Sequence, residues 1–594
     1  MAGMERKGHG LRPVWLAAFT ALALGSATAE AQPTREYFSA LAERSATPRH
    51  LDEREREHYR AVFAAIDRKD WAAAATLLDQ RPDGLLTPVA RAELYLAAGS
   101  PRVELPQIQA WLDRGRALPQ AAQLSRLALM RGATELPDVP AQRSVYRLGG
   151  TPKRTRPASV EDGTMPADIS RAILEHITND DPDGARLLLD GIDALLSPEA
   201  RAEWRQRVAW SYYIENRDPQ ALAIAQTVAA NGSGPWVAEG EWTAGLAAWR
   251  LGDCAQAGEA FERAAAGADN LELRTAAWYW ASRAALRCRQ PGRSAEFLRA
   301  AAGHDETLYG MLAAEQLGTE LPARLSRSDF SDEDWRRLGR FENVRVAIAL
   351  AEIGRDELAS EVLLHQARIG DPDDYAGLSR LARALSLPST QLYMAHNAPS
   401  GAAPDPAAAY PAPRWTPANG WRVDPALAYA HALQESSFRV SAVSPANAQG
   451  LMQITPITVR EHAPRLGLSA SQVNIFDPAT NLAFGQRNLE MLRDSAATGG
   501  TLPKVMAAYN AGLTPVTRWN YEVQDQGDPL LYMESIPYWE TRSYVAIVMR
   551  NYWMYERQAD AESASRIALA QNAWPAFPGE SVSDGRVYFS TGSR

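Results

Sequence analysis

The stretch "HALQESSF", residues 431–438, puts a carboxylate, Glu435, inside an otherwise apolar helical pattern. Asp424-Pro425 starts that helix, with Asp as the cap and Pro at the first helical position. Leu427, Ala430 and Leu433 mark its apolar stripe, so Glu435 falls near the C-terminal end. The negative pole of the helix dipole lies there and disfavours ionisation, and partial burial raises a carboxyl pKa further. A carboxyl group kept protonated near neutral pH is what a general acid requires. By spacing alone, a solvated or salt-bridged helix Glu remains the commoner outcome. His431 lies four residues earlier on the same face. Nothing nearby completes a metal-ligand set, so a packing or hydrogen-bonding role is expected for it and no metal or other cofactor is expected.

The segment "SAVSPANAQGLMQITPIT", residues 441–458, follows. Ser, Pro, Asn and Gly make 441–450 a loop, and Gly450 permits close backbone approach by a ligand. Met452 offers an adaptable apolar surface and Gln453 an amide that both donates and accepts. That mixture suits a polyol or an acetamido sugar.

These residues need a scaffold, and most of the 594-residue chain reads as helix. Hydrophobic residues are 46% and charged residues 22%, enough apolar surface for a sizeable core. The net charge is −9 without a long Lys/Arg run, which argues against nucleic acid as the main partner. Between 32 and 395, phrases such as "WTAGLAAWRLGDCAQAGEAFERAAA" (from Trp242) and "VAIALAEIGRDELASEVLL" (from Val346) join two apolar helices through a short polar turn. One such hairpin cannot bury its apolar face alone, so neighbours are expected to stack into a solenoid or ring-like superhelix. The many Trp residues in this array are expected mainly in its core. Cys254 opens the second helix of one hairpin and Cys288 closes the first helix of the next. Stacking puts both at one edge, one layer apart, where a disulfide is plausible. "NAPSGAAPDPAAAYPAPRWTP", within 396–417, reads as a Pro/Ala-rich linker or extended passage before a compact domain over 418–594. At the other end, Arg6, Lys7 and Arg12, the apolar run 13–24 and the small residues before Ala31 read as a cleavable export signal over 1–31. No later segment is apolar enough for a membrane helix, so a soluble periplasmic protein is expected.

"QESSF…GLMQITP" resembles the catalytic signature of the lytic transglycosylases of the goose-type lysozyme superfamily. "FDPATNLAFGQRNLEML" (476–492), "AAYNAGLTPVTRW" (507–519) and "ESIPYWETRSYVAIVMRNY" (534–552) resemble three further family blocks, in the family's order. The match covers roughly 410–556. The array before it, with "ETLYGMLAAEQLG" (306–318), is similar to the superhelix of the large soluble Slt-type members. The resemblance implies an all-α protein: a ring- or solenoid-like superhelix followed by a lysozyme-like, mainly α catalytic domain.

It also implies a substrate, the glycan strands of peptidoglycan, and non-hydrolytic cleavage of the β-1,4 bond between N-acetylmuramic acid and N-acetylglucosamine. The muramoyl end then closes on its own C6 hydroxyl as a 1,6-anhydro sugar. Glu435 would be the acid and then the base. A tethered nucleophile removes the need for a second carboxylate to activate water. By position in the motifs, Ser436, Met452, Gln453, Tyr509, Asn510 and Glu540 would contact or surround substrate, Asn510 by fixing the backbone. Glu540 can equally be a first-turn helix Glu paired with Arg542. Other cell-wall enzymes are candidate partners. Three departures touch substrate preference: Asn447 where Gly is usual, Gln449 where a small Ser is common, and Thr455 where an apolar Met often lines the cleft. Two other readings stay open. One is a lysozyme-like hydrolase using Glu540 to activate water. The other is a non-catalytic scaffold whose terminal domain only binds glycan.

Overall fold

A computed structural model describes residues 33–43, 47–322, 325 and 329–579. The export signal expected over 1–31 lies outside the described residues. Those residues form twenty-eight α-helices, a few 3₁₀ turns and one two-stranded antiparallel sheet, in which Val145–Arg147 pairs with Asn397–Pro399. No helix among them is long and apolar enough to cross a membrane.

Local chemistry sets the hairpins. Helix Trp236–Arg250 ends in a turn through Gly252, whose φ is +82°. Asp253 then caps the next helix by accepting from the Gln256 amide at 3.0 Å. Helices Cys254–Gly267, Leu271–Arg287 and Pro291–Ala302 continue the stack, each packed on the one before. Trp236–Arg250 lies inside it, buried nearly all round, while the outer helices bury one stripe. Cys254 and Cys288 are joined by a disulfide with Cα atoms 5.6 Å apart, tying the start of one helix to the end of the next.

Two large hydrophobic clusters organise the described residues, and one of them runs across the compositional break near 396. One joins buried residues from Leu51 to Ala128 with those from Phe330 to Ala398. Here the chain returns on itself. Glu352 accepts from the His50 amide at 2.7 Å, and Asn343 donates to the Ala117 carbonyl at 2.8 Å. The other fuses the middle of the array, from Ile173 to Ala313, with the terminal region from Ala407 to Phe577. The Pro/Ala-rich passage is part of this second core. Ala407, Ala408, Tyr410 and Ala412 are buried, and the Pro411 carbonyl accepts from the Tyr555 hydroxyl at 2.8 Å. Proline leaves carbonyls free to accept while donating nothing, so a Pro-rich strand can be held by side chains rather than by a ladder. Beyond the helix Ala564–Ala570, the Pro575 carbonyl accepts from Leu502 N, and Phe577 N donates to the Gly500 carbonyl, both at 2.8 Å.

Candidate active site

Helix Pro425–Ser436 begins as its sequence requires: the Asp424 carboxylate accepts from the Ala426 amide at 2.9 Å and Pro425 takes the first position. It ends at Ser437, φ +52°, and Phe438 follows at +59°. Two successive left-handed residues without glycine cost about 1–2 kcal/mol each. Phe438, buried against Tyr429 at 6.1 Å, anchors that sharp reversal. The reversal leaves Glu435 on the last turn, half-buried, facing helix Trp539–Gln558.

From that second helix, the Tyr544 hydroxyl donates to Glu435 Oε1 at 2.6 Å. Behind Tyr544, fully buried His431 places Nδ1 2.7 Å from the same hydroxyl. Because Tyr544 spends its one proton on Glu435, its oxygen accepts from His431, which is therefore the Nδ1–H tautomer. Burial pushes His431 down to about 3, so it is neutral. Its Nε2 is buried and has no hydrogen-bond partner among the described residues. Burial pushes the Glu435 carboxyl up to about 7; the Tyr544 hydrogen bond opposes this and the charge of Glu540 adds to it. In the protonated acid Oε1 accepts from Tyr544, so the proton sits on Oε2, for which no partner occurs among the described residues. The site thus holds a proton on an oxygen free to give it away. Among the described residues no cluster of three metal-ligating side chains occurs.

The loop 441–455 is tied to this site through Tyr509, which packs on His431 and donates to the Met452 carbonyl. Gln449 bridges to both Val443 and Ile454. Gly450 has φ +75°, and a Cβ there would meet Asn481 Nδ2 at 2.2 Å, so glycine is required twice over. Asn447 also takes a left-handed backbone, φ +61°, which its side chain tolerates. Asn481, fully buried, holds the loop: it accepts from Met452 N at 2.8 Å and donates to the Gln449 and Ile475 carbonyls at 3.0 and 2.9 Å. Thr455 caps the helix Pro456–His462.

The residues singled out from sequence converge unequally. Tyr509 is half-buried and donates to the Met452 carbonyl at 2.8 Å; its ring lies 4.5 Å from His431 and parallel to Tyr544. Asn510 accepts from Thr541 at 2.6 Å, locking helix Leu502–Ala511 to the first turn of Trp539–Gln558. Gln453 is half-buried and returns its amide to the Gly450 carbonyl at 2.8 Å. Glu540 is exposed in that first turn and acts on Glu435 through its charge. Met452 presents no side chain to the cleft. It is fully buried against Gly485, and its carbonyl is what the site uses. Ser436 is likewise buried, donating to the Ala432 carbonyl at 3.2 Å. Arg542 does not pair with Glu540. It donates to the Ile536 carbonyl at 2.8 Å and lies over Trp210 of the helical array at 4.1 Å. Two working residues escaped the sequence reading. Tyr544 was signalled by its place four residues after Glu540 on the same helix, and Asn481 by an amide at a buried position of a capped helix.

Residues 416–531 match the family described as the transglycosylase SLT domain. The soluble lytic murein transglycosylase of Escherichia coli K12 is 32% identical over 133 residues, 22% of this chain and 20% of that one. The membrane-bound lytic murein transglycosylase C of Histophilus somni is 38% identical over 109 residues, 17% of this chain and 30% of that one. These alignments span about a fifth of the length of the soluble relatives. Among solved structures, the 70-kDa soluble lytic transglycosylase of Escherichia coli superposes with a TM-score of 0.52 at 16% identity, covering 89% of this chain and 100% of that one. A 70-kDa soluble lytic transglycosylase in complex with bulgecin A gives 0.51. At that identity the likeness is one of fold. The described residues form an all-α superhelix of stacked hairpins followed by a mainly α terminal region.

Proposed function

We propose that this chain is a peptidoglycan lytic transglycosylase in which Glu435 is the sole acid and base. The observation that carries the reading is the Tyr544–Glu435 contact in a buried setting: it holds Oε1 and leaves the proton on Oε2 near neutral pH. Glu435 Oε2–H gives its proton to the glycosidic oxygen as the bond from C1 of N-acetylmuramic acid to that oxygen breaks. The C6 hydroxyl of the same sugar then bonds to C1, and its proton passes to the Glu435 carboxylate. The acid is restored and no water is consumed. The nucleophile is part of the substrate, so its effective concentration replaces a second carboxylate. His431 and Tyr544 act as a neutral relay that fixes which oxygen carries the proton. Gln453 and Tyr509 border the sugar site from the loop wall and the adjoining helix, and Asn510 holds that helix in place. Met452 and Ser436 support it from inside the core.

Glycan strands are the substrate in this reading, and the periplasm is its location, following the export signal expected over 1–31. The hydrolytic alternative needs a second carboxylate fixed beside the sugar. Glu540 is exposed and makes no side-chain hydrogen bond among the described residues, which favours the single-acid scheme. Digesting purified peptidoglycan and weighing the products tests the proposal. Anhydro ends, lighter by one water than reducing ends, are the expected result; reducing ends alone would refute it.

A further inference from the structure

The motif "ETLYGMLAAEQLG", residues 306–318, lies in the helical array. Thr307 caps its helix, Leu308–Leu317, by accepting from the Gly310 amide at 3.0 Å. Buried Tyr309 projects from the first turn. Trp280 Nε1 donates to the Tyr309 hydroxyl at 3.1 Å, so that hydroxyl spends its one proton on Glu534 Oε1, 2.6 Å away. Glu534 belongs to Pro529–Ser535, the short helix just before Trp539–Gln558. The array holds this short helix at both ends. Arg283 pairs with its Asp528 cap at 2.5 Å, Tyr309 holds Glu534, and the Tyr213 hydroxyl lies 2.7 Å from Ser535 Oγ. The Glu534 charge also acts on Arg154 and on Arg542, whose guanidinium donates to the Ile536 carbonyl at 2.8 Å. Helix Trp539–Gln558 follows, and Tyr538 gives it no side-chain cap. Its start is therefore set by the segment before it and by the Thr541–Asn510 bond. Tyr544 stands about one and a half turns further on.

We infer that Tyr309 is a positioning residue for the reaction: by holding Glu534 it fixes the start of helix Trp539–Gln558, and with it the hydroxyl that Tyr544 gives to Glu435. The role in the reaction rests on the function proposed above. Glu435 is faced by Tyr544 and Glu540 from that helix, by Tyr509 from Leu502–Ala511 and by His431 from its own helix. Tyr544 and Glu540 ride on the helix that the array holds; Tyr509 and His431 do not. Without the Tyr309 hydroxyl, the buried Glu534 carboxylate has Arg154 and Arg542 left to answer its charge. It is drawn toward them and takes residues 535–538 along. A hydrogen bond as short as that from Tyr544 to Glu435 weakens with a small displacement, so it registers the change.

The test uses the full chain carrying Tyr309→Phe. In peptidoglycan solubilisation kcat should fall about tenfold with KM little changed. In a Tyr544→Phe background the same change should cost about twofold or less, because the bond to be aimed is already gone. Tyr279→Phe is the control. It removes a neighbouring buried hydroxyl that makes no hydrogen bond among the described residues, and it should leave kcat unchanged. A second readout does not depend on the reaction. A ring-fluorinated tyrosine replacing Tyr544 gives a fluorine resonance that follows the Glu435 proton, with a midpoint near pH 7. Tyr309→Phe should move that midpoint upward, because a looser Tyr544 bond favours the carboxylate less. Equal losses in the two backgrounds, an equal loss in Tyr279→Phe, or an unmoved midpoint would each overturn the inference. The fluorine midpoint decides the positioning whatever products form, so its failure is distinguishable from an absence of anhydro ends, which bears on the reaction alone.

Discussion

Helix Trp539–Gln558 has two faces that treat buried ionisable groups in opposite ways. On the cleft face, Tyr544 meets Glu435 and His431, and the three share hydrogen bonds without any cation. Burial, with the charge of Glu540 adding to it, keeps the acid protonated to about pH 7. On the opposite face, Arg542 stays a guanidinium among indole rings, above Trp210 and beside the Arg154–Glu239 pair. Guanidinium tolerates burial because its charge is delocalised and stacks on aromatic faces; a carboxyl group responds by keeping its proton. One helix therefore offers a proton donor on one side and a fixed cation on the other. The difference lies in what packs against each face.

The sharpest way to break this contrast is to remove the acid while keeping its shape. Glu435→Gln retains an acceptor for Tyr544 and should lower kcat by about a thousandfold in a peptidoglycan-solubilisation assay. Tyr544→Phe comes next. It leaves the carboxyl but frees its orientation, and kcat should fall by about ten- to a hundredfold. The lost hydrogen bond favoured the carboxylate, so the alkaline limb of the kcat/KM profile, near pH 7 in the parent, should move upward. A downward shift would contradict the cleft-face account. His431→Phe removes the donor to Tyr544 without touching Glu435; a several-fold loss of kcat with KM little changed is expected.

A stability measurement separates the faces in another way. Glu435 binds a proton in the folded state up to about pH 7, whereas its ordinary value is 4.5. Between those values the folded form holds more protons, so its contribution to stability falls as pH rises through that window. Glu435→Gln should therefore raise the Tm at pH 8, and the gain should vanish near pH 4. Glu272, raised to about 7, and Glu556, raised to about 8, add the same sign of dependence from sites away from the cleft. The smallest effect on activity is expected far from both faces. Replacing Cys254 and Cys288 by Ser should leave kcat unchanged while costing about 3 kcal/mol or less in denaturant unfolding.

Much of the scaffold was legible because it is local. Asp424-Pro425 began the catalytic helix as its capping chemistry requires, and the paired apolar helices with polar turns gave stacked hairpins. The same turn logic put Cys254 and Cys288 at adjacent helix ends, within bonding distance. The Pro/Ala-rich passage was less legible. Its composition resembles a tether, but its carbonyls and small side chains serve as packing surface for Tyr429, Tyr555 and Gln558. Met452 and Ser436 were misplaced for a related reason. A motif says which residues stand together, but not which face of a turn meets solvent, and here both side chains point into the core.

By itself the sequence determined that a carboxylate would stand on the last turn of a capped helix, before a glycine-bearing loop, in a long array of helical hairpins. Those features depend on neighbours within a few residues. Only the tertiary structure decided that the carboxylate holds a proton, and on which oxygen. Both depend on Tyr544, 109 residues away, and on the burial that helix Trp539–Gln558 imposes. The same structure moved Arg542 from the anion two residues before it to an aromatic cavity shared with the array. Desolvation and hydrogen bonding act over a few ångströms of space, whatever the distance along the chain, so no pattern of spacing could have specified them.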